Sequence, residues 1–308
     1  MRVNRAAPGC VAVIPPPRCD DMNHDAIFVL STGRCGTQWL HETMRNCYGD
    51  AIAAEHEPLN TDYQPRRFFR AAPNALAALG RIPAVAAHVQ RIRETLAHRP
   101  YFEAGWPSFS ALPWLHDALE GRMRIVHLTR HPVNTALSMA THRAYERDDW
   151  IREGALTPFD AGCLDASLQL RWPEISGYEK CLFWWTTLHR YAVDLHRRRP
   201  DIGWLRLSYE DLFAEGSDDL SRLAAFCGLP HRPELEARRA QRTDRFRHRM
   251  PSDDWRKVMR YPETIAVAEA LGYDPADADA RSLSTRYFQR KRLKHTLAEW
   301  GLTLRRKG

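Results

Sequence analysis

The sequence contains no apolar run that approaches the roughly 18 uninterrupted residues of a membrane span. Its first residues, MRVNRAAPGCVAVIPPPRCDD, also lack the apolar core of about 7–15 residues that a secretory signal peptide requires. Neither membrane insertion nor export is indicated, so we expect a cytoplasmic protein. The 308 residues suffice for one large α/β domain or two small ones.

Cysteines are few and irregularly placed. The chain has 7 of them, an odd number, and no two form a C-x-x-C pair. This spacing argues against a disulfide framework and against a zinc site, so we expect no bound metal.

The charge is basic, with a formal net value of +7. A basic surface suits a polyanionic ligand, but it suits nucleic acid or a membrane surface equally well, and a solvated basic surface needs no ligand. A nucleic-acid module needs a stripe of Lys and Arg interleaved with aromatic residues. The closest stretch contains Arg238, Arg239, Arg242, Arg245, Arg247 and Arg249. These arginines could equally shield a bound nucleotide, and we expect no nucleic-acid partner.

Short apolar runs alternate with helical patterns along most of the chain. Residues 1–24 resemble a flexible arm, and residues 25–308 read as a single domain. We predict strands at 26–31, 51–54, 101–104, 124–128 and 203–207. Helices are predicted at 37–46, 74–98, from Pro132, and at 176–198, 217–227, 263–271 and 285–299. Such alternation predicts an α/β fold with a mostly parallel sheet flanked by helices, which binds ligands beyond the C-terminal ends of its strands.

The long helix at 176–198 should place Trp184, Trp185, Leu188 and Val193 on or near the core. We interpret its two tryptophans as packing residues, and Trp39 as part of the core of the first helix. Glu210 and Asp211 follow the last strand and are expected to cap the next helix.

A glycine-containing turn follows the first predicted strand. Gly33 and Gly36 permit backbone angles closed to other residues, so the turn can wrap tightly. Its N–H groups and the start of the next helix then form an anion site. Side-chain donors come from Arg34, Thr37 and Gln38. The glycine spacing and the missing Lys differ from the Walker A pattern, which disfavours a P-loop small-molecule kinase that uses ATP.

A second candidate anion site follows the strand at 124–128. Arg130 lies at the strand's C-terminal end, and Ser138 lies about two turns into the helix that Pro132 begins. A guanidinium fork and a hydroxyl together suit a terminal phosphate. A helix-capping Arg with a surface Ser would explain the same residues.

These segments resemble the sulfotransferases that use 3′-phosphoadenosine 5′-phosphosulfate (PAPS). STGRCGTQWL is similar to their 5′-phosphosulfate loop, and RIVHLTRHPVNTALSM to their 3′-phosphate strand and helix. LRLSYEDLFAEGSDDLSRLAAFCGLP resembles a later strand, turn and helix, and HRMPSDDWR the loop that closes over the nucleotide. Arg34 replaces the Lys of the cytosolic enzymes and is closer to the carbohydrate, tyrosylprotein and bacterial branches.

The resemblance implies a P-loop-like sheet, PAPS as co-substrate and sulfuryl transfer to a hydroxyl or amine. The residues it implies for nucleotide binding are Gly33, Arg34, Cys35, Gly36, Thr37, Gln38, Arg130, Ser138 and Arg249. The acceptor remains open among carbohydrates, lipids, peptides and small metabolites, and segments 59–100 and 145–180 are expected to line its side of the site.

Two catalytic functions need residues. Arg34 can neutralise the 5′-phosphate leaving group without ever deprotonating. For the general base we place Glu57 first, because it follows the second strand at the ligand edge. His56 is second, since its ordinary pKa of about 6.5 suits proton transfer, and Glu103 is third. If this segment is extended, His56 and Glu57 point to opposite faces.

Overall fold

Five parallel strands form the centre of the structure. A computed structural model describes residues 24–146, 154–240, 249–251 and 253–288. The strands are β1 Ala26–Leu30, β2 Ala53–His56, β3 Tyr101–Ala104, β4 Met123–Thr129 and β5 Gly203–Ser208. Their order in the sheet is β2-β3-β1-β4-β5, and every pair is parallel. The predicted α/β fold with a parallel sheet is confirmed.

Helices join and cover the strands. Between β1 and β4 lie α1 Thr37–Tyr48, α2 Pro65–Phe68, α3 Pro73–Leu76, α4 Pro83–Leu96 and α5 Leu112–Ala118. Between β4 and β5 lie α6 Pro132–Ala140, α7 Ala166–Arg171 and α8 Gly177–Arg198. After β5 come α9 Tyr209–Leu212, α10 Asp219–Phe226, α11 Glu234–Ala240, α12 Pro262–Ala270 and α13 Ala280–Tyr287. Short 3-10 turns occur at Gly49–Ala51, Ala77–Arg81, Pro107–Ser110, Ala161–Cys163 and Trp255–Arg260.

Both faces of the sheet are buried, which explains why the strands read as continuous apolar runs. On one face, Phe28 packs with α4, α5, α6 and α8. On the other face, Ile27 and Val29 pack with Leu40 and Met44 of α1. β1 is the central strand, and all five of its residues are buried. The loop that follows β1 therefore begins from a rigid part of the core.

The long helix α8 begins where its capping residues predict. Ser176 is the N-cap, and Glu179 completes a capping box with it. Trp184, Trp185 and Leu188 are fully buried as expected, whereas Val193 is 43% exposed. The prediction for Val193 was wrong because Val193 lies on the solvent-facing side of α8, whereas Ala192 and Leu195 lie on its buried side. Within the described residues no helix is long and apolar enough to cross a membrane.

The second strand lies two residues later than predicted. Gly49–Ala51 form a 3-10 turn, so β2 begins at Ala53. The predicted helix at 74–98 is divided into α3, a 3-10 turn and α4, because Pro83 starts a new helix at its first turn. Residues 1–23, most of the predicted arm, and residues 289–299 of the last predicted helix lie outside the described residues.

Candidate active site

The loop between β1 and α1 is a tight, left-handed turn. Gly33, Arg34 and Gly36 all have positive φ angles, of 75°, 58° and 88°. A Cβ atom at Gly33 would lie 3.2 Å from the Trp106 ring, and one at Gly36 would lie 3.3 Å from the Tyr209 ring. Both glycines are therefore required by backbone conformation and by close contacts.

Gly36 is also the N-cap of α1 and has no side chain to cap the helix. The positive end of the helix dipole and its first N–H groups thus face the loop, as in other anion sites. Thr37 is buried beside this end, whereas Gln38 is exposed and its side-chain amide donates to Glu42 at 3.4 Å. In this arrangement Gln38 can contribute a backbone N–H to the loop, while its side chain lies against the helix surface.

Cys35 is fully buried inside the loop. Its thiol donates to the Gly33 carbonyl at 3.2 Å and lies 3.3 Å from the Thr32 hydroxyl. Burial raises the pKa of the Cys35 thiol, although the Thr32 hydrogen bond and the charge of Arg130 oppose this. Cys35 therefore packs as a neutral thiol, and only its backbone can contribute to an anion site.

Arg130 lies at the end of β4, and its guanidinium is buried against the loop. One Nη donates to the Arg34 carbonyl at 2.6 Å, and the other donates to the Tyr287 hydroxyl at 3.1 Å. The guanidinium carbon lies 4.1 Å from the centre of the Tyr209 ring. Its Nε is buried and has no hydrogen-bond partner among the described residues. A buried donor without a partner is costly, so the site fits an anionic ligand.

The two candidate anion motifs meet in space. Arg34 Nε donates to the hydroxyl of Ser138 at 3.2 Å, although the residues are 104 positions apart. Ser138 lies on α6 and is nearly buried, with 6% of its surface exposed. Arg34, Arg130 and Ser138 therefore lie around one cleft at the ends of β1 and β4.

Glu57 follows β2 at the same edge of the sheet. Its φ of 52° turns the chain sharply, and its N–H donates to the Ala104 carbonyl at 3.2 Å. The Glu57 side chain packs so closely over Gly105 that a Cβ atom there would overlap Glu57 Cγ. Burial raises the pKa of Glu57 to about 7; the Trp106 backbone N–H opposes this shift, and the charge of Glu103 adds to it. A carboxyl with this pKa is poised for proton transfer near neutral pH.

Comparison with known protein families identifies the family to which this sequence belongs. A family model described as the sulfotransferase domain matches residues 24–250, most of the chain. The chain belongs to the sulfotransferase family. This assignment favours the predicted sulfotransferase over the ATP-dependent kinase and the nucleic-acid module.

Solved structures resemble this sulfotransferase at low sequence identity. The sulfotransferase domain of the Synechococcus PCC 7002 olefin synthase is 17% identical, with a TM-score of 0.49 over 84% of this chain and 98% of that chain. A sulfotransferase from Alicyclobacillus acidocaldarius is 15% identical, with a TM-score of 0.44 over 80% and 96%. Mouse sulfotransferase SULT7A1, complexed with PAP, is 18% identical, with a TM-score of 0.38 over 71% and 63%. A comparison with curated proteins gives no match.

His56 lies closer to Glu57 than the alternation of an extended strand predicts. Its Nε2 is 3.8 Å from Glu57 Oε1 and 3.5 Å from the Thr37 hydroxyl. The expectation of opposite faces was wrong, because the positive φ of Glu57 ends the extended conformation. Burial and the neighbouring His41 lower the pKa of His56, so its ring is neutral near pH 7 in this sulfotransferase.

The two buried tryptophans of α8 also donate hydrogen bonds to the two anion motifs. The Trp184 indole N–H donates to the Thr32 carbonyl at 3.0 Å, and the Trp185 indole N–H donates to the Arg130 carbonyl at 2.9 Å. One helix thereby fixes the backbone of both anion motifs. The sequence shows only that the two tryptophans are adjacent. It does not indicate their hydrogen bonds, because the acceptor residues lie far away along the chain.

Glu210 also has a different role from the predicted helix cap. Ser208 caps α9 by accepting from the Asp211 N–H at 2.9 Å. The Glu210 carboxylate instead accepts from the His131 N–H and from the Tyr273 hydroxyl, both at 3.1 Å. Glu210 thus fixes the start of the loop that follows Arg130.

Arg249 is exposed and lies in a short described stretch, while Arg242, Arg245 and Arg247 are outside the described residues. The next residue, Met250, donates its backbone N–H to the Tyr287 carbonyl at 3.0 Å. Because Tyr287 also accepts from Arg130, this stretch lies near the cleft. Among the described residues, no group of three or more His, Cys, Asp or Glu side chains could hold a metal ion.

Proposed function

We propose that this sulfotransferase takes a sulfuryl group from PAPS and transfers it to a hydroxyl or amine of a small-molecule or glycan acceptor. The observation that carries the proposal is the buried guanidinium of Arg130, whose Nε lacks a partner among the described residues. A 3′-phosphate beside Arg130 and Ser138 would accept that hydrogen bond.

The nucleotide half of the site consists of the loop 31–36, Arg130 and Ser138. Its donors can hold two anionic groups, one at the loop with the start of α1 and one between Arg130 and Ser138. Beside them the rings of Tyr209, Phe213 and Trp39 form a cluster, with successive centres 4.8 and 4.6 Å apart. These partly buried rings offer an aromatic surface for the nucleobase.

The acceptor half consists of His56, Glu57, Gly105 and Trp106. Glu57 accepts the proton of the acceptor hydroxyl as its oxygen attacks sulfur. The S–O bond to the 5′-phosphate breaks in the same step, and Arg34 with the loop N–H groups neutralises the charge left on that phosphate. The transferred group passes from the loop toward Glu57, so the two halves supply different parts of the reaction.

Nucleotide binding tests this assignment directly. We expect 3′-phosphoadenosine 5′-phosphate (PAP) to bind far more tightly than 5′-AMP or ATP with Mg²⁺ in isothermal titration. Charge-assisted hydrogen bonds contribute about 1.5–3 kcal/mol each, so Arg130→Ala should weaken PAP binding by about 10- to 150-fold and leave 5′-AMP binding nearly unchanged. Equal affinity of the wild type for PAP and 5′-AMP would contradict the proposal. A screen of candidate acceptors with labelled PAPS would then identify the acceptor.

A further inference from the structure

Glu103 lies at the end of β3 beside the acceptor half, but its carboxylate is fully engaged. Only 2% of the residue is exposed. Oε2 lies 2.9 Å from both His88 Nε2 and the Tyr101 hydroxyl, and Oε1 accepts from the Ser108 hydroxyl. Because the residue is buried, an acceptor hydroxyl cannot reach its carboxylate in this arrangement. Glu103 was the third candidate for the base, and its position beside the acceptor half therefore needs another explanation.

The neighbours of Glu103 are themselves oriented. Arg91 Nη2 lies 2.8 Å from His88 Nδ1, and because a guanidinium only donates, Nδ1 must accept. The His88 ring proton is then on Nε2, which lies close to the Glu103 carboxylate without a well-formed hydrogen bond to it. Arg91 also donates to Glu55 at 3.0 Å, and Glu55 lies 2.8 Å from the Tyr101 hydroxyl. β2, β3 and α4 thus hold the Glu103 carboxylate in one orientation.

Ser108 connects this carboxylate to the acceptor half. It belongs to the 3-10 turn Pro107–Ser110, which begins directly after Trp106. Gly105 and Trp106 come directly before this turn. Gly105 packs against the Glu57 side chain, and the Trp106 ring packs against Gly33; the Trp106 backbone N–H also lowers the pKa of Glu57. A shift of the turn would move Gly105 and Trp106 and therefore change the surroundings of the Glu57 carboxylate.

We propose that Glu103 is a positioning residue that acts through Ser108, holding the turn so that the adjoining Gly105 and Trp106 orient the carboxylate of Glu57. This inference rests on the proposed role of Glu57 as the base. It assigns Glu103 a function in the reaction without contact with the reacting atoms. A misplacement of about 1 Å at such a position can cost on the order of 100-fold in rate, so a contact of this kind affects turnover.

Ser108→Ala tests the connection, because it removes the hydroxyl and leaves Glu103 with His88 and Tyr101. We expect kcat to fall about tenfold with the affinity for PAP unchanged. The acid limb of the pH profile should move to higher pH, because the Trp106 N–H favours ionised Glu57 and would lie farther from its carboxylate. Ser108→Thr, which keeps the hydroxyl, should restore both properties. If Ser108→Ala does not fold, Ser108→Cys retains a weak donor and should give an intermediate shift.

Ser110→Ala is the matched control, since Ser110 lies in the same turn but contacts the Tyr63 hydroxyl, at 3.2 Å, instead of Glu103. Equal effects of Ser108→Ala and Ser110→Ala would overturn the proposal. The proposal would also be overturned if Ser108→Ala lowered kcat by the same factor in a chain that already carries Glu57→Gln, because the effect must pass through Glu57. Near-normal turnover of Glu57→Gln alone would instead overturn the base assignment, and that result requires no Ser108 variant.

Discussion

The nucleotide half and the acceptor half that we propose for this site contain different kinds of chemical group. In the nucleotide half, the groups are permanent charges and backbone N–H groups, held by short hydrogen bonds from Arg130 to Arg34 and from Trp184 to Thr32. In the acceptor half, the main group is a carboxyl whose pKa is raised by burial to about 7. In the proposed function, the first half would therefore bind an anion over a wide pH range, whereas the second would depend on pH near neutrality.

The difference has a physical cause. An arginine remains charged at any physiological pH, so its environment changes its position but not its protonation. A carboxyl changes protonation when its solvation changes, so its function depends on the packing of residues around it. Substitutions in the two halves should therefore separate binding effects from rate effects, and they should differ in pH dependence.

Loss of the base should give the largest effect. Glu57→Gln preserves shape but cannot accept a proton, so we expect turnover to fall by about 10²–10⁴-fold with PAP affinity unchanged. Steady-state kinetics and isothermal titration measure the two quantities. Glu269→Gln, at an exposed position on α12, is the control and should have a small effect. If Glu57→Gln retains activity while His56→Ala abolishes it, the histidine is the base.

Loss of the charge at Arg34 should give the next largest effect, and on rate more than on binding. The loop N–H groups still hold the ground-state donor, while charge on the leaving oxygen grows only in the transition state. We expect Arg34→Ala to lower kcat by about 10²–10³-fold and to weaken PAP binding far less. Arg34→Lys should retain partial activity. If Arg34→Ala weakened PAP binding without lowering kcat, Arg34 would only bind the nucleotide. Its role would then not differ from that of Arg130.

The pH profile should separate the halves without any substitution. With the pKa of Glu57 at about 7, the fraction of ionised base rises about tenfold between pH 6 and pH 8. Turnover should rise by the same factor. PAP affinity should change less, because the arginines do not titrate there and only the second ionisation of the PAP phosphates, with a pKa of about 6, falls in this range. A profile flat between pH 6 and pH 8 would contradict a raised pKa for the base. Measuring kcat and the PAP dissociation constant at each pH makes the comparison.

Low pH should also lower the free energy of unfolding, and this is the smallest of the expected effects. The two histidines responsible lie beneath the nucleotide half. His127 Nε2 lies 2.9 Å from His189 Nδ1, and both rings are buried. Burial lowers the pKa of His189 to about 3, and burial with the neighbouring His189 lowers the pKa of His127. The folded chain keeps both neutral, whereas the unfolded chain protonates them below pH 6.5. Stability should therefore be lost as the pH falls from 6.5 toward 3.

Protonation of His189 in the unfolded chain should cost about 2 kcal/mol of unfolding free energy between pH 7 and pH 5, and His127 should add to the loss in the same direction. Urea denaturation at the two pH values measures the loss. Replacing both His127 and His189 with Leu should remove that part of the pH dependence. His98→Gln, at an exposed position, is the control. An unchanged pH dependence in the double variant would show that other groups cause the acid effect.

Local sequence determined much of the fold and of the nucleotide half. Ala26 to Leu30 is an apolar run that forms the buried central strand, and Gly33 and Gly36 adopt the left-handed conformations that a tight turn needs. The sequence predicted that Arg130 and Ser138 face the same crevice. The end of a strand and the position of a residue along a helix indicate where a nearby side chain points. Such features depend on near neighbours in the chain, so a single sequence contains the information.

Only the tertiary structure decided the rest. The turn at Glu57, the contacts of Glu103 with His88, and the indole hydrogen bond from Trp185 to Arg130 all join residues on different elements. Burial of Glu57 over Gly105 sets its pKa, and no spacing in the sequence encodes that burial. Solvation and long-range hydrogen bonds arise when distant segments pack together, which is why the identity of the charged groups could be read from the sequence but their protonation and orientation could not.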